Sequence, residues 1–336
     1  MTDQEDEEGN VIPGPNGGAT AVNEKNCGLG CILHFHSDQA LFYLTELKLG
    51  CDDHAKLFTE NFAPSHSSSL CPKSSSLKFL RFLHLGSGSK EPTMRSFSTI
   101  IRDCKSFESF KTVVLNEGAL ECLEQIPTPL TCRLSLANGM FSNSLKSSAV
   151  LKLASLLPRF NNLIKFSFDL HKCCAEAENK LVCCITHKTL QKLHLWNLRM
   201  TPAIAAALGR SLPEMSSLKT LKLEGAGSTL QVEDMKALFG GFNKTFPSLE
   251  VFAFSHFRVR GCLAPLTERF HFFPSLRAVD LDYTNLDERD LRGLVCSLKS
   301  IPNMESLWLD GNPLVDKNRV ESIVKEALPQ VDLDYW

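Results

Sequence analysis

The sequence predicts a curved α/β solenoid, a stack of repeated units that each run strand, turn, helix and return. Three observations predict it. A core of apolar residue, two spacers, apolar residue, one spacer and apolar residue recurs along most of the 336 residues. "FPSLRAVDLDYTNL" from Phe273 and "IPNMESLWLDGNPL" from Ile301 repeat one pattern 28 residues apart. Between such cores lie stretches with helical spacing, and a proline follows each. One unit cannot bury its own apolar face, so neighbours must stack, with parallel strands on the concave face and helices on the convex face.

Taken in order, strand cores are expected at Leu44/Leu47/Leu49, Leu80/Leu83/Leu85 and Phe110/Val113/Leu115, with a degraded copy near Leu134/Leu136. A regular series follows at Leu163/Phe166/Phe168, Leu190/Leu193/Leu195, Leu218/Leu221/Leu223, Leu249/Phe252/Phe254, Leu276/Val279/Leu281, Met304/Leu307/Leu309 and Leu328/Val331/Leu333. From Leu163 the intervals are 27, 28, 31, 27, 28 and 24, too even for chance. "TPAIAAALGRSL" offers Thr201 as an N-cap and Pro202 at the first helical position. "LDERDLRGLVCSLKSIP" offers Asp287 as a cap, with Leu291, Leu294, Val295 and Leu298 on one face. Pro158, Pro213, Pro247, Pro274 and Pro302 stop the chain before the next strand. Residues 1–38, acidic and then Gly/Pro-rich, are expected to be disordered; 39–160 read as irregular N-terminal repeats and 161–336 as regular ones, in one solenoid from 39 to 336.

A net charge of -2 argues against a whole-protein electrostatic partner, so no nucleic acid is expected. The sign is uneven: from Leu276 to Trp336 twelve Asp and Glu face seven Lys and Arg, which makes that end acidic. The start carries neither the basic nor the apolar region of a signal peptide, and no window reaches the roughly 20 apolar residues of a membrane span. Thirteen cysteines without framework spacing point to a reducing compartment, with cysteine as a small buried hydrophobe, so the expected location is cytoplasmic. Ten scattered histidines pair with no nucleophile, and no nucleophile elbow or zinc-protease helix is present, so no enzyme and no cofactor are expected.

This pattern resembles the leucine-rich repeat family, in its long-repeat, ribonuclease-inhibitor-like class, over roughly residues 41–336. The buried turn asparagine of that family is matched by Asn312 in "LWLDGNPL"; the same position elsewhere holds His171, Leu198, Ala226, Phe257 and Thr284. Within the class, the run from "LPEMSSLKTLKLEGAG" to "LPQVDLDYW" looks most like the C-terminal arrays of NACHT-type NOD-like receptors. That resemblance implies a cytosolic innate-immune sensing or autoinhibitory array. The nucleotide-binding motor of such receptors has no counterpart here, since "GSGSKEPT" at Gly86 lacks the Gly-Lys pair of a phosphate loop. Two other readings remain open: a stand-alone inhibitor or scaffold that holds a basic protein, and a small-GTPase regulator.

Spacer residues of each strand are expected to line the concave face. One column reads Ser167, His194, Lys222, Ala253, Asp280, Trp308 and Asp332; the next reads Asp169, Trp196, Glu224, Ser255, Asp282, Asp310 and Asp334. Acids there need a cationic partner to relieve their repulsion, and exposed Trp196, Trp308 and Tyr283 would anchor it. The candidate site is therefore Asp169, His194, Trp196, Glu224, Asp280, Asp282, Tyr283, Trp308, Asp310 and Asp334, and the partner a protein with basic and apolar character. A second cluster, His171, Cys173, Cys174, Cys183, Cys184 and His187, carries zinc-ligand chemistry. Adjacent Cys-Cys pairs diverge and chelate poorly, so buried hydrophobic cysteine is the reading adopted and no metal is expected.

Overall fold

The computed structural model describes residues 46–49, 81–86, 90–104, 107–127, 131–137, 145–314 and 316–335. The segment 1–38, the Ser-rich stretch near residue 70 and Trp336 lie outside them. Among the described residues eleven strands form one sheet in strict chain order, all pairs parallel. They are β1 (Glu46–Leu49), β2 (Phe82–Leu85), β3 (Ser109–Thr112), β4 (Arg133–Ala137), β5 (Asn162–Asp169), β6 (Lys192–Leu198), β7 (Thr220–Gly225), β8 (Val251–Ser255), β9 (Ala278–Asp280), β10 (Ser306–Trp308) and β11 (Asp332–Asp334). Helices return the chain between them: α1 (Glu91–Asp103), α2 (Glu117–Gln125), α3 (Ser147–Leu156), α4 (Ala175–Cys184), α5 (Pro202–Ser211), α6 (Val232–Phe239), α7 (Ala264–Thr267), α8 (Glu288–Leu298) and α9 (Lys317–Ala327). Parallel strands sit about 4.8 Å apart, while packed helices need about 8 to 10 Å. A layer of helices stacked on such a sheet bends it, with the strands inside the curve.

The caps follow the sequence. Thr201 Oγ1 accepts from Ile204 N at 3.2 Å, and Asp287 and Asp290 close a reciprocal capping box on α8. Pro158 and Pro213 sit in one-turn 3₁₀ segments, Leu157–Arg159 and Leu212–Glu214, that finish α3 and α5. Leu291, Leu294, Val295 and Leu298 are all buried. Between sheet and helices runs one continuous apolar core. Where β8 replaces leucine with Phe252 and Phe254, those rings join Phe239, Phe242, Phe246, Phe270 and Phe273 in edge and stacked pairs.

Two registers differ from the sequence pattern. In β3 the inward residues are Phe110 and Thr112, paired with Leu83 and Leu85; Leu115 is buried in the core beyond the strand, and Val113 is only half-buried. Thr112 is tolerated there because its Oγ1 donates to Val114 O at 2.7 Å, so no buried hydroxyl is left unpaired. In β11 it is Leu333 that aligns with Leu307, which sets Asp334 beside Trp308 and Asp332 beside Ser306. The aligned interval from Leu307 to Leu333 is 26, so the triplet Leu328/Val331/Leu333 lies two residues out of register and the last unit is slightly short.

Turn chemistry sets how the strands end. The side chain of Asn312 donates to Leu281 O and Leu309 O, both at 2.9 Å, and accepts from Thr284 N at 3.2 Å and Leu286 N at 2.9 Å. Thr284, at the same turn position one unit earlier, donates its hydroxyl to Leu281 O at 2.6 Å. One side chain thus satisfies four buried backbone groups across two units. Asn197, His256, Tyr283 and Gly311 take positive φ two residues past the last inward strand residue. Only Gly311 does so without a side chain to place, and a Cβ there would meet the Tyr283 ring at 2.3 Å.

Candidate functional site

The open face of the sheet presents the spacer side chains of successive strands in rows. Toward the C-terminal end the row runs Lys222, Ala253, Asp280, Trp308 and Asp334, one residue from each of β7 to β11. Asp282 and Asp310 extend from the ends of β9 and β10 beside it. Asp310 N donates to Asp282 Oδ1 at 2.7 Å, and Asp282 N donates to Asp280 Oδ1 at 3.1 Å. These backbone bonds hold the carboxylates close together on a half-buried surface. Burial foremost, then the charges of Asp280, Asp310 and Asp334, push the Asp282 carboxyl up to about 6. Asp280 is raised as well, again chiefly by burial. Two carboxylates about 5 Å apart repel by about 1 to 3 kcal/mol, depending on how much water intervenes.

Aromatic groups frame this ladder. Tyr283 is 54% exposed and is the one large hydrophobic residue so exposed among the described residues. His256 stacks on it at 4.7 Å with the rings nearly parallel. Together with Gly227, Arg258, Asn285 and Gly311 the pair lines a shallow groove where the strands turn. Trp308 and Trp196 lie on the open face but are half-buried rather than freely exposed.

Two expected site residues are not on the open surface. Asp169 is only 8% exposed, because its Oδ1 accepts from His171 N at 2.9 Å and from Asn197 Nδ2 at 2.8 Å. It serves the turn. His194 is also 8% exposed, since the Trp196 ring covers it with centroids 3.6 Å apart and its Nε2 meets Glu224 Oε1 at 2.5 Å. His194, Trp196 and Glu224 therefore form one packed cluster, with Glu224 as its half-exposed rim. Of the remaining spacers, Ser167, Ala253 and Ser255 are buried.

The cysteine-rich segment separates. Cys173 is buried and Cys184 is partly buried against the core, but Cys174 and Cys183 are exposed, so the expectation of buried hydrophobic cysteine holds for Cys173, in part for Cys184, and not for the other two. The reason is helical: Leu181, Val182 and Ile185 take the inward face of α4 and its cap, which turns Cys183 outward. Among the described residues no group of three or more His, Cys, Asp and Glu is placed to hold a metal ion. His187, buried, meets Leu157 O at 3.2 Å through Nε2.

One row was missed in the sequence. Lys48, His84, Lys111, Ser135, Lys165 and Lys192 lie side by side from β1 to β6. A register shift between Leu134 and Ser135 moves the row from one spacer column to the other, so no fixed column of the repeat contains it. A reading of the spacer before the middle apolar residue would have found Lys165 and Lys192.

No protein-family model matches the sequence, and no curated protein matches it. Among solved structures, a chain of the Rad7 and Elc1 complex in yeast superposes with a TM-score of 0.51 at 19% identity, covering 87% of this chain and 69% of that one. The fold is a leucine-rich repeat solenoid. A chain of the TLR13–ssRNA13 complex reaches a TM-score of 0.39 at 15% identity, over 76% of this chain and 36% of that one. At 19% identity the likeness to the Rad7 and Elc1 complex concerns fold alone. Among the described residues no helix is long and apolar enough to cross a membrane.

Proposed function

We propose that this leucine-rich repeat chain is a non-catalytic protein-interaction module that holds a basic polypeptide segment over its C-terminal acidic ladder. The observation that carries the reading is the Asp280/Asp282/Asp310/Asp334 group, whose mutual repulsion a cationic ligand would relieve. Tyr283 and Trp308 supply apolar anchors beside it, the residue types that dominate binding at such interfaces. The finer reading is a ligand-sensing or autoinhibitory array of a cytosolic NOD-like receptor, and its support is the sequence resemblance described above. A stand-alone inhibitor or scaffold would use the same face.

The test is fluorescence anisotropy with a labelled hexa-arginine peptide, comparing wild type with the Asp282→Asn/Asp310→Asn double variant. Asparagine keeps a side-chain oxygen to accept the amide hydrogen bond and removes only the charge. The variant should bind about tenfold more weakly, a loss of about 1.4 kcal/mol, and moderate salt should weaken wild type further. Equal affinity of the two proteins would remove the reading.

A further inference from the structure

The basic row lies on the same open face as the acidic ladder, at the other end. Lys48, Lys111 and Lys165 are exposed, and Lys192 and Lys222 are half-exposed. His84 sits between Lys48 and Lys111 in the register. Among the described residues, Lys111, Lys165, Lys192 and Lys222 form no ion pair. Burial and then the neighbouring ammonium groups lower both Lys111, which feels Lys165 and Lys48, and Lys192, which feels Lys222 and Lys165. Four ammonium groups, those of Lys111, Lys165, Lys192 and Lys222, without carboxylate partners on one face are costly unless an anion covers them. Elsewhere on the surface, Lys152 pairs with Glu124 and Lys244 with Glu214.

The two halves meet at β7. Lys222, which pairs with His194 in the neighbouring row two residues further along the strands, is the last cation of this half, and Glu224 follows two residues later on the same face of the same strand. After the uncharged spacers of β8, Ala253 and Ser255, the face carries Asp280, Asp282, Asp310 and Asp334. We infer that the open face as a whole is a binding surface for a polypeptide whose charge is segregated, with an acidic segment over Lys111–Lys222 and a basic segment over Asp280–Asp334. This inference rests on the proposed reading of the acidic half and adds the occupant of the other half, together with its orientation.

Dimensions fit an extended chain. From β3 to β7 there are four inter-strand steps of about 4.8 Å, so the unpaired lysines span about 19 Å. Six residues of extended polypeptide cover about 20 Å. An acidic run of that length crossing the strands would set a carboxylate near each lysine. A longer polyanion would not fit: a nucleic acid strand that continued past Lys222 would run its phosphates onto Glu224 and Asp280. The charge boundary at β7 therefore favours a polypeptide that changes sign over a uniformly charged strand.

The experiment uses labelled peptides and the full chain. A block peptide of six glutamates, a short Gly linker and six lysines is compared, in both block orders, with an alternating Glu-Lys peptide of the same composition. One of the two block orders should bind at least tenfold more tightly than the alternating peptide. The Lys165→Glu/Lys192→Glu variant should lose hexaglutamate binding by about tenfold or more while keeping hexa-arginine binding. Asp282→Asn/Asp310→Asn should do the reverse, so failure of the basic row is distinguishable from failure of the acidic ladder. Both lysines are solvent-facing, and an unchanged thermal melt would show that the variant folds. Equal binding of block and alternating peptides, or hexaglutamate binding untouched by the lysine variant, overturns the inference. So does an oligo-dT strand that binds more tightly than hexaglutamate and gains affinity as it lengthens from 6 to 20 nucleotides.

Discussion

Asp282→Asn tests whether the acidic ladder is held under electrostatic strain. The wild-type carboxyl is pushed from the ordinary 3.8 to about 6, first by burial and then by Asp280, Asp310 and Asp334. A shift of about two units corresponds to about 3 kcal/mol for a fully shielded group. Asp282 is only half-buried, so screening by water and salt leaves about 1 kcal/mol. The sign follows from proton linkage. A carboxyl whose folded pKa is raised binds its proton more tightly when folded, so stability falls as pH rises from about 4 through about 6. Above about pH 7 the destabilisation is fully present. Asparagine removes the charge and retains the acceptor for Asp310 N. The variant should therefore be more stable than wild type by about 1 kcal/mol near pH 7.5, and the gain should shrink to about half near pH 5. Urea unfolding of both proteins at the two pH values reads this directly, with an unchanged slope expected because the exposed surface is the same. A variant that is no more stable at either pH, or a gain independent of pH, would refute the strain.

The remaining predictions concern groups that hold the fold. Glu178 on α4 is buried, accepts Arg199 N and Nε at 2.7 Å each, and has its pKa raised by burial even against the pull of Arg199. Arg199→Ala should destabilise by about 3 kcal/mol in thermal or urea melts, because a buried carboxylate loses its cation, and Glu178→Gln in the same background should recover part of that loss. Asn312→Ala would leave four buried backbone groups near Leu281, Thr284, Leu286 and Leu309 without their partner, at a cost of about 3 to 5 kcal/mol. Native-state hydrogen exchange should then show faster exchange at Thr284 and Leu286 first, and unchanged protection at those amides would refute that role.

Much of the architecture was legible in the chain because a solenoid writes its neighbours' requirements into each unit. The spacing of Leu163, Leu190, Leu218, Leu249, Leu276 and Met304 determined the stacking, and Thr201, Asp287 and the prolines determined where helices begin and end. Such signals are local: a cap or a stop acts within a few residues, and an inward leucine is required wherever a strand faces the core. Asn312 was readable for the same reason, as a polar residue at a buried turn position.

Register and exposure were decided by the tertiary structure. Whether a spacer side chain reaches solvent depends on the residue that lies beside it on the next strand, about 28 positions away in sequence. Trp196 buries His194, the turn consumes Asp169, and Leu333 rather than Val331 aligns with Leu307. The lysine row arises only after the shift at Leu134/Ser135 carries Lys111 into line with Lys165. Strand-to-strand hydrogen bonding sets that line by small differences in unit length and bulge position, and a repeat pattern averaged over the chain contains neither. The sequence by itself therefore determined the stack and its acidic end. Only the assembled sheet decided which charges face outward and that they divide into a basic half and an acidic half.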